Sequence, residues 1–324
     1  MFISVPFYVK RKGRTMKKFV LKRLLMAIVT MWVIITITFV IMHAVPGDPF
    51  AREGKMPEQV YQNLRAQYGL DKPLGEQYVI YLKNIVKGDF GKSMKSQAET
   101  VNQMIKRGAP VSAQIGLQAF IISIILGPAL GSIAALYQNK LPDYITMILA
   151  IIGISVPSFI FATLLVQFVA KQVAWLPISG WGTFSHSILP SLSLALMPIA
   201  ASARLMRSSM LEVLGQDYIR TARSKGLSKL KVIMNHAVRN AIMPVVSTLG
   251  TTLSGLLTGS FVIEKIFGVP GLGNFLISSV TNRDYTLIMG TTIFYSIVLI
   301  ILLLIVDILY VIIDPRIQLT GGKR

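Results

Sequence analysis

Runs without a charged residue recur along the chain: Leu24 to Met42, Val111 to Tyr137, Tyr144 to Ala170, Ile188 to Ala203, Asn240 to Ile263 and Tyr285 to Val306. A helix rises about 1.5 Å per residue, so even the first run, of 19 residues, nearly crosses a hydrocarbon core of roughly 30 Å. The pattern predicts an all-α, polytopic membrane protein with six transmembrane helices. The fourth run is short and carries Pro190 and Pro198. That predicts a bent or irregular helix, its freed carbonyls satisfied by neighbouring helices.

The segment from about Pro46 to Pro110 mixes acids and bases, and Pro57 to Tyr68 and Leu74 to Lys87 have helix-like apolar spacing. It reads as a small folded domain outside the cytoplasm. The expected organisation is a basic tail at 1–18, a first helix at 19–45, this domain at 46–110, a five-helix core at 111–313 with a polar loop at 207–240, and a tail at 314–324.

Charge orients the chain. Lys and Arg number 33 against 14 acids, a formal charge of +19. Nucleic acid is one reading of that excess, but the basic residues lie between long apolar runs instead of on one soluble face. With the N-terminus inside, 20 of the 33 fall in cytoplasmic segments: eight before the first helix, eight from Arg204 to Arg239, Lys140, and three at the C-terminal end. The short outside loops hold only Lys171, Lys265 and Arg283, and long translocated segments carry little weight in this count. Both termini are therefore expected in the cytoplasm. A cleaved signal peptide is the rival for the first run, but the run is too long and no A-x-A-like site follows it. Met16, followed by Lys17 and Lys18, leaves open an alternative start or a dispensable tail over 1–15.

Several chemistries find no support. There is no cysteine, and only His43, His186 and His236 offer imidazole ligands. Gly88 to Ser93 fails the phosphate-loop spacing because position 86 is Val86. Gly271-Leu-Gly273-Asn-Phe-Leu276 lacks the third glycine of a dinucleotide fingerprint and reads as a turn outside the membrane. Neither H-E-x-x-H nor G-x-S-x-G occurs, which leaves a membrane-embedded hydrolase without a motif.

The loop between the fourth and fifth runs carries the functional inference. Asp217 is placed to cap a short helix that Gly226 ends, and a second, amphipathic helix follows, with Leu227, Leu230, Ile233, Met234, Ala237, Val238 and Ala241 on its apolar face. Taken alone, such a segment fits a basic surface lying on anionic headgroups as well as it fits a protein contact.

Thr221-Ala222, then three residues, then Gly226, resembles the E-A-A-x-x-x-G signature of membrane subunits of binding-protein-dependent ABC importers. Asp217-Tyr218 through Arg223-Ser-Lys-Gly226-Leu227, and on to His236-Ala-Val-Arg239-Asn240-Ala241 and Pro244, is similar to the oligopeptide and dipeptide permease branch. So are His43-Ala-Val-Pro46-Gly47-Asp48-Pro49, Tyr68-Gly69-Leu70-Asp71-Lys-Pro73, Gly88-Asp89-Phe90-Gly91, Phe267-Gly-Val-Pro270-Gly271-Leu-Gly273 and Asp314-Pro315-Arg316. The resemblance covers nearly all of the chain beyond residue 16. Arg220 departs from the acid of the general signature, as the peptide branch does, and Pro244 lies further from Gly226 than in the broader family.

The resemblance implies a coupling helix over about Gly215 to Gly226 that docks in a groove of a cytoplasmic ATPase. Its contact residues would come from Asp217, Tyr218, Ile219, Arg220, Thr221, Ala222, Arg223 and Gly226. Tyr218, Ile219 and Ala222 would supply apolar docking, and Arg220 and Arg223 would pair with acids on the ATPase or remain solvated. The implied partners are a second, homologous permease, two ABC ATPases that bind ATP and magnesium, an extracytoplasmic solute-binding lipoprotein, a peptide substrate and membrane lipid, in a bacterial inner membrane. No cofactor or metal is assigned to this chain itself, and no nucleic acid.

Within the spans, Gly127 and Gly131, and likewise Gly255 and Gly259, are four apart and suit close helix packing. Ser247, Thr251, Ser254 and Thr258, with Thr248 and Thr252, give the fifth run a hydroxyl-rich surface that suits a solute path or interhelical hydrogen bonds. Asp307 falls inside the last run's helix, where an unpaired carboxylate is costly; Arg204 or Arg207 is a candidate partner, and proton coupling is the rival role. A permease for nickel complexes or glutathione in the same family, and a self-sufficient secondary transporter, are the competing functions. A secondary transporter would lose uptake to an ionophore while ATP is maintained.

Overall fold

The computed structural model describes residues 6–44, 49–50, 57–96, 98–257 and 261–313, with side chains from Val20 to Val306. Among these residues the only β pairing is an isolated bridge between Lys92 and Thr100. The helices are α1 (Pro6–Ala44), α2 (Glu58–Gln67), α3 (Leu74–Val86), α4 (Val101–Leu136), α5 (Leu141–Ser155), α6 (Ser158–Leu165, continued by a π turn, Val166–Ala170) and α7 (Phe184–Leu214). There follow α8 (Asp217–Ser224), α9 (Lys229–Val232), a π turn (Ile233–Val238), α10 (Arg239–Ala241), α11 (Met243–Leu257), α12 (Phe261–Ile266), α13 (Leu272–Asn282) and α14 (Tyr285–Ile313).

Among the described residues, four stretches are long and apolar enough to cross a membrane: Val20–Ala44, Val101–Leu136, Phe184–Leu214 and Tyr285–Val306. Two bent pairs bring the number to six if each is one span: Leu141–Ser155 with Ser158–Ala170, bent by 110°, and Lys229–Ala241 with Met243–Leu257, bent by 52°. The third and fifth apolar runs are thus broken, where the sequence suggested plain spans. In the third, Val156 is held extended (φ −84°, ψ 120°) by the ring of Pro157, so α5 stops and α6 restarts on a new axis.

The fourth run reverses its expectation. Pro190 and Pro198 lie inside one continuous helix of 31 residues that passes Arg204 and Arg207 before ending at Leu214. Contacts with α5, α6 and α11 support α7 along its length, and each proline costs the helix its own backbone bond without breaking it.

Two compact units result. One comprises 1–109, 274–304 and 311–324, the other 110–273 and 305–310. In the first, α2 and α3 form where the apolar spacing predicts them. Phe39 and Met42 of α1, Leu64 of α2 and Tyr285, Ile288 and Met289 of α14 share a core with Phe50 and Met94. The Asp284 carboxylate, buried before α14, accepts hydrogen bonds from the Ser93 hydroxyl, from Met94 N–H at 3.1 Å and from Leu287 N–H at 3.1 Å. His43, one of the three histidines, is held between Phe39 O and Gln77 Oε1 at 2.8 and 3.0 Å.

In the second unit, α4 and α7 pack closely at glycine. A methyl group on Gly127 would come within 2.6 Å of Ser202 Cβ, and one on Gly131 within 2.3 Å of Ala203 O. Gly255 meets nothing within 4 Å at the corresponding point, so the close-packing expectation holds for the first pair. Gly259 lies outside the described residues.

Candidate functional site

The loop that leaves α7 begins with Gly215 and Gln216, and Gln216 takes the N-cap position of α8. Asp217, expected to cap, is the first helical residue, where its charge favours the positive helix end. It pairs loosely with Arg220 at 3.8 Å, both side chains largely exposed, an arrangement that adds little stability. At the other end Lys225 N–H donates to Thr221 O at 3.1 Å and Gly226 N–H to Arg223 O at 3.0 Å. Gly226 has φ +76°, the left-handed conformation that suits a residue just beyond a helix.

The eight residues of α8 divide by face. Ile219 (0% exposed) and Ala222 (6%) turn inward onto Met206 and Met210 of α7, Val232, Ala237 and Ala241. They anchor the helix to its own chain, which corrects their placement among the docking residues. Tyr218, Arg220, Thr221 and Arg223 are exposed. Tyr218, at 42%, is the large apolar side chain that α8 offers outward.

The segment after Gly226 also departs from its predicted face. Val232, Ala237 and Ala241 are buried, yet Leu230 is 71% and Met234 54% exposed. The π turn at Ile233–Val238 is the cause: one extra residue per turn rotates the preceding residues away from the face that an uninterrupted α-helix would present.

Two buried carboxylates complete the unit. Asp143, at the start of α5, accepts from Arg207 Nε at 2.5 Å and from Arg207 Nη2 at 2.7 Å, a bidentate pair between α5 and α7. It also accepts from Asn139 N–H at 3.0 Å. Arg207, one of the two partners the sequence offered for Asp307, is engaged by Asp143. Arg204 is exposed, and the Asp307 side chain lies outside the described residues.

The second carboxylate, Glu264 on α12, is 2% exposed. Its Oε1 accepts from the Ser112 hydroxyl at 2.7 Å and its Oε2 from Gly273 N–H at 2.8 Å, while Ser112 Oγ accepts from Leu272 N–H at 2.9 Å. A methyl group on Gly271 would lie 2.4 Å from Glu264 Oε2 and 2.5 Å from Ser112 Oγ. Glycine at 271 is thus a requirement of packing against the carboxylate. Sequence reading missed Glu264, which there only ended an apolar run; a lone acid just before a Pro-Gly-Leu-Gly turn was the available signal.

On α11, Pro244, Ser247, Thr251 and Gly255 are exposed at intervals of three and four residues, one face of the helix. Ser247 Oγ donates to Pro244 O at 2.6 Å and Thr251 Oγ1 to Thr248 O at 2.9 Å. Ser254 is instead buried at 1% exposure, its hydroxyl donating to Gly250 O at 3.0 Å, which corrects its assignment to an open surface. Thr258 lies outside the described residues. His186 Nδ1, the second imidazole, accepts from Thr183 N–H at the start of α7 at 3.4 Å.

Residues 127–319 match the model for the binding-protein-dependent transport system inner membrane component, and residues 16–125 match the N-terminal model of the same kind of membrane component. The chain belongs to this family. The matched region holds α7, α8, the Gly226 turn and α11, and the N-terminal match begins at Met16. The Dipeptide transport system permease protein DppB of Bacillus subtilis is 51% identical over 304 residues, 94% of this chain and 99% of that protein. The Oligopeptide transport system permease protein OppB of Haemophilus influenzae is 45% identical over 305 residues, 94% of this chain and all of that one. A DppB of Lactococcus lactis is 43% identical over 304 residues, again 94% of this chain and all of that protein. The chain is a multi-pass inner-membrane component of this transport family.

Proposed function

We propose that this chain is one of two pore-forming subunits of an ATP-driven peptide importer, paired with a second, homologous permease. Two cytoplasmic ATPases carrying ATP and magnesium, and an extracytoplasmic solute-binding lipoprotein, complete the assembly. The observation that carries this reading is the 51% identity to a dipeptide permease across 94% of the chain. Both termini face the cytoplasm on this reading, in keeping with the excess of Lys and Arg there.

The geometry supports a route for the stroke. Closure of the ATPases moves α8 through Tyr218, Arg220 and Thr221. Ile219 and Ala222 fix α8 to the end of α7, so the two move as one piece. The bidentate Arg207–Asp143 pair carries that motion from α7 to α5. The exposed Ser247–Thr251 face of α11 lines the solute path. Hydroxyls already satisfied by their own turns offer a polar wall that grips no particular side chain, which suits solutes sharing a backbone but differing in side chains.

The test is reconstitution with a second permease, two ATPase subunits and a solute-binding protein of the same transport family. ATP-dependent uptake of a labelled dipeptide or short oligopeptide, insensitive to ionophore, is the expected result. Uptake that an ionophore abolishes while ATP is maintained overturns it.

A further inference from the structure

A cavity of about 510 Å³ opens between the end of α4, the end of α7 and the segment that follows α8. Its walls are apolar, with Leu136, Leu214, Leu227 and Ile233 among them, and two cations, Arg223 and Lys229, complete the lining. Among the described residues, no acidic side chain lines it. Neither cation is within ion-pair distance of a carboxylate among the described residues; the nearby Asp217 pairs with Arg220. A volume of this size lies within the range of roughly 300–1,000 Å³ typical of ligand sites.

Apolar walls with two cations and no anion define an amphiphile with a negative head. The surroundings agree. Leu230, Met234, Tyr137 and Leu141 are all at least half exposed beside these same helix ends, and Lys229 and Lys231 alternate with them. Water is a poor neighbour for such a surface, whereas an acyl-chain boundary under a phosphate layer satisfies both kinds of side chain.

We propose that this cavity binds an acidic phospholipid of the inner leaflet, its phosphate between Arg223 and Lys229 and the upper part of an acyl chain against Leu136, Leu214 and Ile233. Charge-assisted hydrogen bonds from a guanidinium and an ammonium suit a phosphate diester, and the anionic leaflet supplies it where basic residues near the membrane collect. The site lies beside the coupling helix, so the lipid wedges the turn at Gly226 against the ends of α4 and α7. The proposal rests on the cytoplasmic placement of this loop, but not on the identity of the transported solute.

Native mass spectrometry of the full-length protein, released from mixed phosphatidylglycerol and phosphatidylcholine micelles, tests it. Phosphatidylglycerol is expected to remain bound in preference to phosphatidylcholine. Retention should fall roughly fivefold in Lys229→Gln and likewise in Arg223→Gln. Lys231→Gln, which changes an exposed cation outside the cavity, should retain the lipid, and millimolar inorganic phosphate should not displace it. Equal retention of the two lipids overturns the proposal. So does a loss in Lys231→Gln as large as that in Lys229→Gln, which would mean diffuse surface attraction. Displacement by inorganic phosphate overturns it as well, since the head alone would then account for binding. Because no transport is measured, failure here leaves the peptide-import reading standing, and a reporter showing Lys225 outside the cytoplasm would sink both the placement and the lipid.

Discussion

Arg207 and Asp143 are 64 positions apart in sequence and meet through two hydrogen bonds, at 2.5 and 2.7 Å, that join α7 to the start of α5. Removing the cation leaves a buried carboxylate without its counter-charge, which costs on the order of 3 kcal/mol. Arg207→Ala should therefore lower the thermal midpoint in detergent more than the double variant Asp143→Ala/Arg207→Ala does. Transport by the double variant should remain weak even where the fold recovers, because the link from α7 to α5 is gone. A single variant no less stable than the double would refute the role of the pair.

Gly226 ends α8 with φ +76°. Gly226→Val should cost roughly 1–2 kcal/mol there and redirect the chain into the following helix. The variant should insert and pair with its partner permease, yet lose the stimulation of ATP hydrolysis by loaded binding protein. Gly226→Asn should keep much of it, because Asn tolerates the left-handed region. Reconstituted ATPase assays compare the two.

Tyr218 and Ile219 are neighbours with opposite tasks. Tyr218→Asp changes an exposed side chain, so stability should move by no more than about 0.5 kcal/mol while ATPase stimulation disappears. Ile219→Ala empties a site with no solvent exposure and should cost about 2–5 kcal/mol. Parallel thermal melts and ATPase assays should separate them; a large melt shift in Tyr218→Asp would place that residue in the core instead.

Ser112→Ala should remove the hydrogen bonds that the Ser112 hydroxyl makes with Glu264 Oε1 and Leu272 N–H, at a cost of roughly 1–3 kcal/mol for the buried Leu272 N–H. Gly271→Ala should be worse, because a methyl has no room between Glu264 and Ser112. Yield of folded protein after detergent extraction should rank wild type above Ser112→Ala above Gly271→Ala.

Reporters fused after Lys140 or near Lys225 should be cytoplasmic, and those near Lys83, Gly180 or Gly271 outside. A cytoplasmic signal at Lys83 would rule out six crossings with both ends inside.

Much of the fold was legible because lipid imposes a simple rule: an apolar run of sufficient length becomes a helix. The left-handed turn at Gly226 was equally legible, since few residues other than glycine adopt it. What escaped reading depends on partners distant in sequence. Nothing local to Asp143 announces Arg207, and nothing local to Glu264 announces Ser112. The prolines misled for the same reason. Pro157 breaks its span and Pro190 and Pro198 do not, a difference set by the neighbouring helices and not by the prolines themselves. Ile219 and Ala222 looked like docking residues because an apolar side chain on a short amphipathic helix has two possible hosts. Only the positions of Met206 and Met210 decide between them.

The π turn at Ile233–Val238 gives this loop a sensitivity of a different kind. A π turn is an α-helix that holds one residue more than its hydrogen bonding needs. Closing the ladder as ordinary α-helix while keeping that residue would swing the chain before it by about 100° around the axis. Leu230 would then turn toward the interior, and Lys229 would leave the cavity it shares with Arg223. Losing one residue instead restores α-helical spacing with the flanking faces in place, so natural variation across 233–238 should include single-residue gaps.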